Sequence, residues 1–225
     1  MDTLCDKFEA LSDENSKQKF EAYFNLLTEW NGKFNLTAIT ERDEVYLKHF
    51  ADSIAAIDLV YGRVLDIGAG AGFPSLPLKI MKPSLKVVMA DSLNKRVTFL
   101  KEVINKLELE EIEAVHTRAE DIKEKEGFDC VVARAVAPLV TLAEYMLPFV
   151  KIGGIAVAYK SGNIEAEIKE ADFAVRKLGA KIKTKKLYLD EETQRVLVIM
   201  EKKKESPKKY PRSGNKPRLD PLLYK

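Results

Sequence analysis

The chain has 225 residues, 46% of them hydrophobic and 32% charged, with a formal net charge of +2. That length suits one domain with a full core and a short appendage, and the composition is that of a globular protein in water. It excludes a membrane span, because apolar runs such as 130–132 and 155–158 fall far short of the roughly 18 residues needed.

The acidic start, Met1-Asp2-Thr3-Leu4-Cys5-Asp6, lacks the basic-then-apolar pattern of a secretory signal. The two cysteines, Cys5 and Cys130, offer neither a disulfide framework nor a metal spacing, which points to a reducing cytoplasm and no metal. Cys130, inside an apolar run, reads as a small buried hydrophobe. Charge is uneven along the chain. Residues 202–225 hold nine Lys/Arg against Glu205 and Asp220, a surplus of seven, so the body carries a deficit of five. A basic tail on an acidic body suggests a polyanionic partner, or a solvated terminus kept soluble by charge.

In chain order, Leu4, Phe8, Leu11, Phe20, Phe24 and Leu27 recur at helical spacing, broken near 12–16, where Ser12 or Ser16 could cap a second helix. Trp30-Asn31-Gly32 is expected to end that helix, and 35–40 to be a connector. Thr40 reads as the cap of a further helix over 41–60. Residues 1–62 thus form an N-terminal helical cap. From Arg63 the texture becomes α/β, with strands expected at 63–67, 86–90, 112–116, 128–133, 154–159, 181–189 and 195–200. Helices are expected at 74–81, 95–107, 139–150 and 164–178. The last two strands, joined by Asp190-Glu191-Glu192, form an antiparallel hairpin. The sum is a mostly parallel seven-stranded sheet with an antiparallel strand over 63–201. That is the Rossmann-like pattern of a class I methyltransferase, although doubly wound folds in general share it. Residues 202–225 are the basic tail.

Asp66-Ile67-Gly68-Ala69-Gly70-Ala71-Gly72-Phe73 follows a strand and precedes a helix. Glycines there permit positive φ and close approach of a ligand to the backbone. The dinucleotide fingerprint requires a third glycine or alanine where Phe73 stands, which disfavours a nicotinamide-dependent oxidoreductase. An acid two residues before Gly68 suits an ammonium better than a pyrophosphate, and the methionine part of S-adenosylmethionine carries one. Asp91, at the end of the next strand, can accept both ribose hydroxyls, or else cap the following helix. Ala119-Glu120-Asp121, after the third strand, can border an adenine.

The end of strand four, Val132-Ala133-Arg134-Ala135, lacks the Asn/Asp-Pro-Pro-aromatic loop of amino-methylating enzymes. No cysteine loop exists for carbon-5 chemistry. Guanine N7 needs neither device, since it offers a lone pair and no proton; such an enzyme mainly positions its reactants.

The chain resembles the bacterial 16S ribosomal RNA guanine-N7 methyltransferases, the glucose-inhibited division protein B family. The resemblance rests on Trp30-Asn31, Asn35-Leu36-Thr37, His49-Phe50-Ala51-Asp52-Ser53, residues 66–74, Asp91 to Leu100, Arg118-Ala119-Glu120, Ala133-Arg134-Ala135, Lys160-Ser161-Gly162 and residues 207–212. Alanine at 133 stands where serine is common. The resemblance implies S-adenosylmethionine as cofactor, with contacts from Asp66, Gly68, Gly70, Gly72, Phe73, Asp91, Ser92, Leu93, Ala119, Glu120 and Arg134. It also implies Arg134, Lys160 and Arg118 as reaction-centre or RNA cations. The expected partner is 16S ribosomal RNA or the small-subunit particle, engaged by a monomer. The alternative is an RNA-binding ribosome assembly factor with a vestigial cofactor pocket. His49 and Asp52 share a helix face, which reads as structural or as lid positioning because N7 methylation needs no base. Lys160 is otherwise a plain strand-end cation, and Arg195 could bond phosphate or cap the sheet. Lys202, Lys203, Lys204, Lys208, Lys209 and Arg212 suit an extended arm that orders on phosphate.

Overall fold

Leu4, Phe8, Phe20 and Leu27 are buried, as their spacing predicts; Leu11 is exposed and Phe24 half-buried, and Tyr23, outside that pattern, is buried as well. They line α1 (Leu4–Leu11) and α2 (Glu14–Phe34) in a computed structural model that describes residues 3–224. The cap of α2 is neither Ser12 nor Ser16 but Asp13, whose carboxylate accepts the Ser16 N–H at 2.7 Å. Nor does Gly32 end the helix. Trp30 and Phe34, one turn apart, pack their rings 5.4 Å from each other and carry it to Asn35, whose left-handed backbone stops it.

The helix expected at 41–60 is broken into three pieces. α3 (Arg42–Val45) leads into a π-helical turn (Tyr46–Ala51), and a 3₁₀ turn (Ile54–Ala56) follows. Thr40 does not cap it; Glu41 holds that position without a side-chain bond. The wider π turn keeps Phe50 against Phe20 and Tyr23 while His49 and Asp52 reach the sheet edge.

Seven strands follow: β1 (Arg63–Ile67), β2 (Lys86–Asp91), β3 (Ile112–His116), β4 (Phe128–Arg134), β5 (Val150–Ser161), β6 (Ala180–Tyr188) and β7 (Gln194–Lys202). Their order is β3-β2-β1-β4-β5-β7-β6, and β7 runs antiparallel to both neighbours. The chain reverses its direction of travel between β1 and β4, the crevice where open α/β sheets bind ligands. β5 begins earlier than expected because Pro148 cuts the preceding helix to α6 (Leu139–Met146) plus one 3₁₀ turn.

Val64 faces one core, with α2, α4 (Ser75–Met81) and α5 (Asn94–Lys106). Leu65 and Ile67 face the other, with α6 and α7 (Glu165–Lys177). The helical cap and the sheet share the first of these cores, so residue 62 marks a change of texture rather than a separate unit.

The tail is not the extended arm its charge suggests. Lys202 ends β7 fully buried, its Nζ donating to Leu147 O at 2.7 Å and Ser206 Oγ at 2.5 Å. Tyr210 is buried, and Arg212 donates to the buried Glu144 of α6 through its backbone N–H and its guanidinium, at 2.8–3.2 Å. The chain then forms a short α8 (Lys216–Leu219). Lys202 and Arg212 are therefore held by protein groups, whereas Lys203, Lys204, Lys208 and Lys209 remain exposed. Apolar neighbours and a buried carboxylate outweigh the charge repulsion that predicts disorder.

Glu144→Ala leaves Arg212 without its buried partner and should lower the unfolding free energy by about 3 kcal/mol in a urea titration. A loss below about 1 kcal/mol would mean the tail is not anchored there.

Candidate functional site

At the reversal point, the ends of β1, β2 and β3 open onto a cavity of about 280 Å³. Gly68, Asp91, Ser92, Arg118, Ala119 and Glu120 line it, all of them residues singled out from sequence. Asp91 is 2% exposed and organises this end. Its Oδ2 accepts the Gly70 N–H and its Oδ1 accepts the Leu93 N–H, both at 2.9 Å. Leu93, not Asp91, is the cap residue of α5, so the helix-cap reading of Asp91 falls. Arg96 Nη1 adds a longer contact to Asp91 Oδ2 at 3.5 Å; with about four lone-pair positions on a carboxylate, capacity is left for a ribose hydroxyl. Gly68, Gly70 and Gly72 all have positive φ. A Cβ at Gly68 would lie 2.8 Å from Val136, and one at Gly72 would lie 2.2 Å from Leu76. A Cβ at Gly70 would meet only Gly68 O, at 3.9 Å, so the backbone there stays approachable.

Asp66, Phe73, Leu93, Arg134 and Lys160 are not part of this wall; Phe73 and Arg134 face the helical cap. Asp66 is fully buried, and neither carboxylate oxygen has a hydrogen-bond partner. Ser75 lies beside it without reaching hydrogen-bond geometry, its own Oγ also unpartnered; burial pushes the carboxyl up to about 7, only partly offset by Ser75 and the Arg134 charge. An orphaned buried carboxylate behind a glycine loop fits a ligand that brings an ammonium, and Asp91 fits its ribose. S-adenosylmethionine has both.

Phe73 lies beneath two groups. The His49 ring stacks on it at 4.4 Å between centroids, and the Arg134 guanidinium sits 4.8 Å from its centre. Arg134 Nη1 donates to Asp52 Oδ2 at 3.0 Å, and Arg195 Nε donates to Asp52 Oδ1 at 2.7 Å. Arg134 Nη2 lies 3.2 Å from His49 Nδ1. A guanidinium only donates, so Nδ1 accepts and the imidazole carries its proton on Nε2, 2.8 Å from Thr37 Oγ1. Burial first, and Arg134 second, push His49 down to about 4, in keeping with a neutral ring. Asn31 completes the chain by accepting the Thr37 N–H at 2.8 Å. His49 and Asp52 thus form no acid–base couple; both orient Arg134.

The three candidate cations are not brought together. Arg118 lines the cavity, whereas Arg134 stands on the cap side. Lys160 Nζ is held by Glu167 at 2.6 Å and by Ala137 O at 3.1 Å. Among the described residues no cluster of three metal-ligating side chains occurs, and no helix is long and apolar enough to cross a membrane.

Residues 16–197 match the family described as GidB, rRNA small subunit methyltransferase G. The chain belongs to this family. It is 50% identical over 224 residues to the ribosomal RNA small subunit methyltransferase G of Lactococcus lactis, covering 94% of this chain and 93% of that one. It is 48% identical to the proteins of that name from Lachnoclostridium phytofermentans and Staphylococcus aureus, over 95% and 94% of this chain and 92% of each of theirs. Solved structures share the fold at lower identity. TYW2 of P. horikoshii in complex with MeSAdo has a TM-score of 0.56 at 16% identity, over 68% of this chain and 62% of that one. A SAM-dependent methyltransferase of Aquifex aeolicus has a TM-score of 0.53 at 18% identity, over 71% and 93%. The seven-stranded class I methyltransferase architecture expected from sequence is thus the one observed.

The sequence did not mark Thr117, Val136, Tyr145, Asn215 or Arg218 as cavity residues, and it placed Ile67 and Ala90 only as strand residues. For Asn215 and Arg218 the only signal was the basic tail, and it pointed elsewhere. Asp52 was legible only as the helix-face neighbour of His49, and Arg195 only as a cation for phosphate or the sheet end, because their pairing spans 143 residues.

The two shifted groups predict opposite pH slopes. Folded Asp66 keeps a proton that the unfolded chain has lost between about pH 4 and 7, so its contribution to stability falls as pH rises through that window. Folded His49 refuses a proton that the unfolded chain takes up below about 6.5, so its contribution falls as pH drops towards 4. In urea titrations without ligand, Asp66→Asn should remove the first slope and be relatively more stable above pH 7. His49→Gln should remove the second. Parallel pH profiles for wild type and both variants would contradict the assignment.

Proposed function

We propose that the chain transfers a methyl group from S-adenosylmethionine to N7 of one guanine in 16S ribosomal RNA, acting as a cytoplasmic monomer on the RNA or the small-subunit particle. The observation that carries this reading, in a chain of this family, is the pair of carboxylates that flank one glycine loop, from the ends of β1 and β2. Asp91 is anchored and faces the nucleoside cavity, and Asp66 is orphaned behind the loop. When bound, S-adenosylmethionine supplies an electrophilic methyl group on a sulfonium.

The residues divide the work. Gly68 and Gly70 let the ligand reach the backbone, Asp91 takes the ribose, and Ser92, Leu93, Ala119 and Glu120 border the base. Asp66 receives the ammonium. Gly72 and Phe73 shape the turn, and Phe73 supports Arg134. Guanine N7 has no proton to remove, and no base is offered: both His49 nitrogens and both Asp52 oxygens are engaged. Catalysis is positioning, an effect that can be worth about 7–11 kcal/mol. Arg134 and Arg195 share one carboxylate, so a positive charge remains beside the loop for the anionic substrate. Arg118 borders the nucleoside, and Lys160 steadies the end of β5. The exposed Lys204, Lys208 and Lys209 supply phosphate contacts. The vestigial-pocket alternative is disfavoured, because a vestigial loop would have no need to keep Asp91 bonded to Gly70 and Leu93.

Incubation with methyl-labelled S-adenosylmethionine and 16S ribosomal RNA or small subunits should yield labelled 7-methylguanosine after nuclease digestion. Label confined to protein or small molecules would overturn the reading. Asp91→Ala should weaken cofactor binding at least tenfold by calorimetry and leave RNA affinity unchanged. Replacing Lys204, Lys208 and Lys209 together by Ala should make the dependence of log affinity on log salt shallower by about 2.

A further inference from the structure

The cavity at the ends of β1–β3 has a wall that the family match does not include. That match ends at residue 197, whereas Asn215 and Arg218 line the cavity. We infer that residues 212–220 form the closing wall of the nucleoside site, and that Asn215 and Arg218 bind the adenosine portion of the cofactor. The inference rests on the cofactor assignment above and adds binding residues to it.

Three sets of contacts carry it. First, one guanidinium closes the segment. Arg212, besides gripping Glu144, donates from Nη1 to Asp220 Oδ2 at 3.1 Å and from Nη2 to Asp220 O at 2.6 Å. Both ends of 212–220 are thereby tied to one buried acid of α6, and the residues between them form a closed loop. Second, the inner face of that loop is fixed on α6 and on the turn after β3. Thr141 Oγ1 donates to Pro217 O at 3.1 Å, Tyr145 OH to Asn215 Oδ1 at 3.4 Å, and Asn215 N–H to Glu120 Oε1 at 3.4 Å. Third, Arg218 Nη2 donates to Val136 O at 2.7 Å, which joins the loop to the chain leaving β4. The loop therefore bridges the two sides of the cavity.

The chemistry left over suits a purine nucleoside. Asn215 keeps its amide donors, and Arg218 keeps Nε and Nη1. Donors of this kind match the ring nitrogens of adenine, while Glu120 can accept from its exocyclic amine. A planar guanidinium also stacks on a base. A charge-assisted hydrogen bond lost at such a site corresponds to a tenfold or greater loss of affinity. The same residues explain why this stretch of a basic tail is folded while Lys208 and Lys209, just before it, are exposed. The tail divides into an RNA-facing part and a cofactor-facing part.

The test is calorimetric titration of the full chain with S-adenosylmethionine and with 5′-methylthioadenosine, which lacks the amino-acid part. Arg218→Ala and Asn215→Ala should each weaken both ligands by about tenfold, and by equal factors, because the contact is to the shared nucleoside. Affinity for 16S ribosomal RNA should stay within about twofold of wild type. Lys216→Ala, on the exposed side of the same turn, should bind both ligands as wild type does. Bound S-adenosylmethionine should also slow tryptic cleavage after Arg218 in the wild-type chain. Wild-type affinities in both variants overturn the inference and leave the cofactor assignment standing. So does a loss confined to RNA, which would make the loop an RNA arm. A wild-type chain that binds neither ligand removes both readings.

Discussion

The carboxylate of Asp52 takes one arginine on each oxygen, and the cap-side half of the site depends on it. Arg134 comes from the end of β4, Arg195 from the start of β7, and Asp52 from the chain just past the π turn. Three segments distant in sequence meet at one 5%-exposed acid. Removing one member of such a buried group typically costs about 3–5 kcal/mol, since the remaining charges lose their partner in a poorly solvated place. The arrangement fixes Arg134 over Phe73, and Phe73 is part of the glycine turn. His49 then has no freedom of protonation, because Arg134 can only donate to it. The π turn that interrupts the expected helix is the backbone consequence: it serves a core contact through Phe50 and an edge contact through His49 and Asp52 at once.

The two carboxylates that flank the loop are treated in opposite ways. Asp91 is held by backbone donors from two different turns, with the Arg96 guanidinium 3.5 Å from its Oδ2, and still has lone-pair capacity to offer a ligand. Asp66 is buried with no hydrogen bond to either oxygen and is driven towards its neutral form. The contrast is one of environment: one acid is fixed by donors at the cavity wall, the other is enclosed without a hydrogen bond. The tail completes the same site from outside the sheet, which gives a single cavity contributions from the first strand and from residues within ten of the C-terminus.

Much of this was legible beforehand. The strands at 63–67 and 112–116 fall where apolar alternation puts them, and the Gly68–Gly72 loop sits between a strand and a helix. Asp91 was singled out from its place at a strand end, and its helix-cap alternative failed by two residues. What escaped were details in which several weak local signals competed. Gly32 looked like a helix end but was overridden by Trp30 packing on Phe34. Thr40 looked like a cap, yet the helix it would head is reshaped by tertiary demands. The charge of 202–225 suggested an arm, and charge density says nothing of a buried Glu144 58 residues before Lys202.

The amino-acid sequence by itself determined the sheet, its helices, the glycine loop and the carboxylates that flank it, because each follows from periodicity or from a position at the end of a strand. Those are local properties, and a strand end in a doubly wound sheet is already an address in space. Only the tertiary structure decided which groups are paired, which acid is orphaned, which imidazole nitrogen carries the proton and where the tail goes. The decisive contacts span 82, 85 and 143 residues for Asp52–Arg134, His49–Arg134 and Asp52–Arg195. At that separation partner choice is set by packing of the whole sheet against its cap, and no window of sequence contains both halves of the bond.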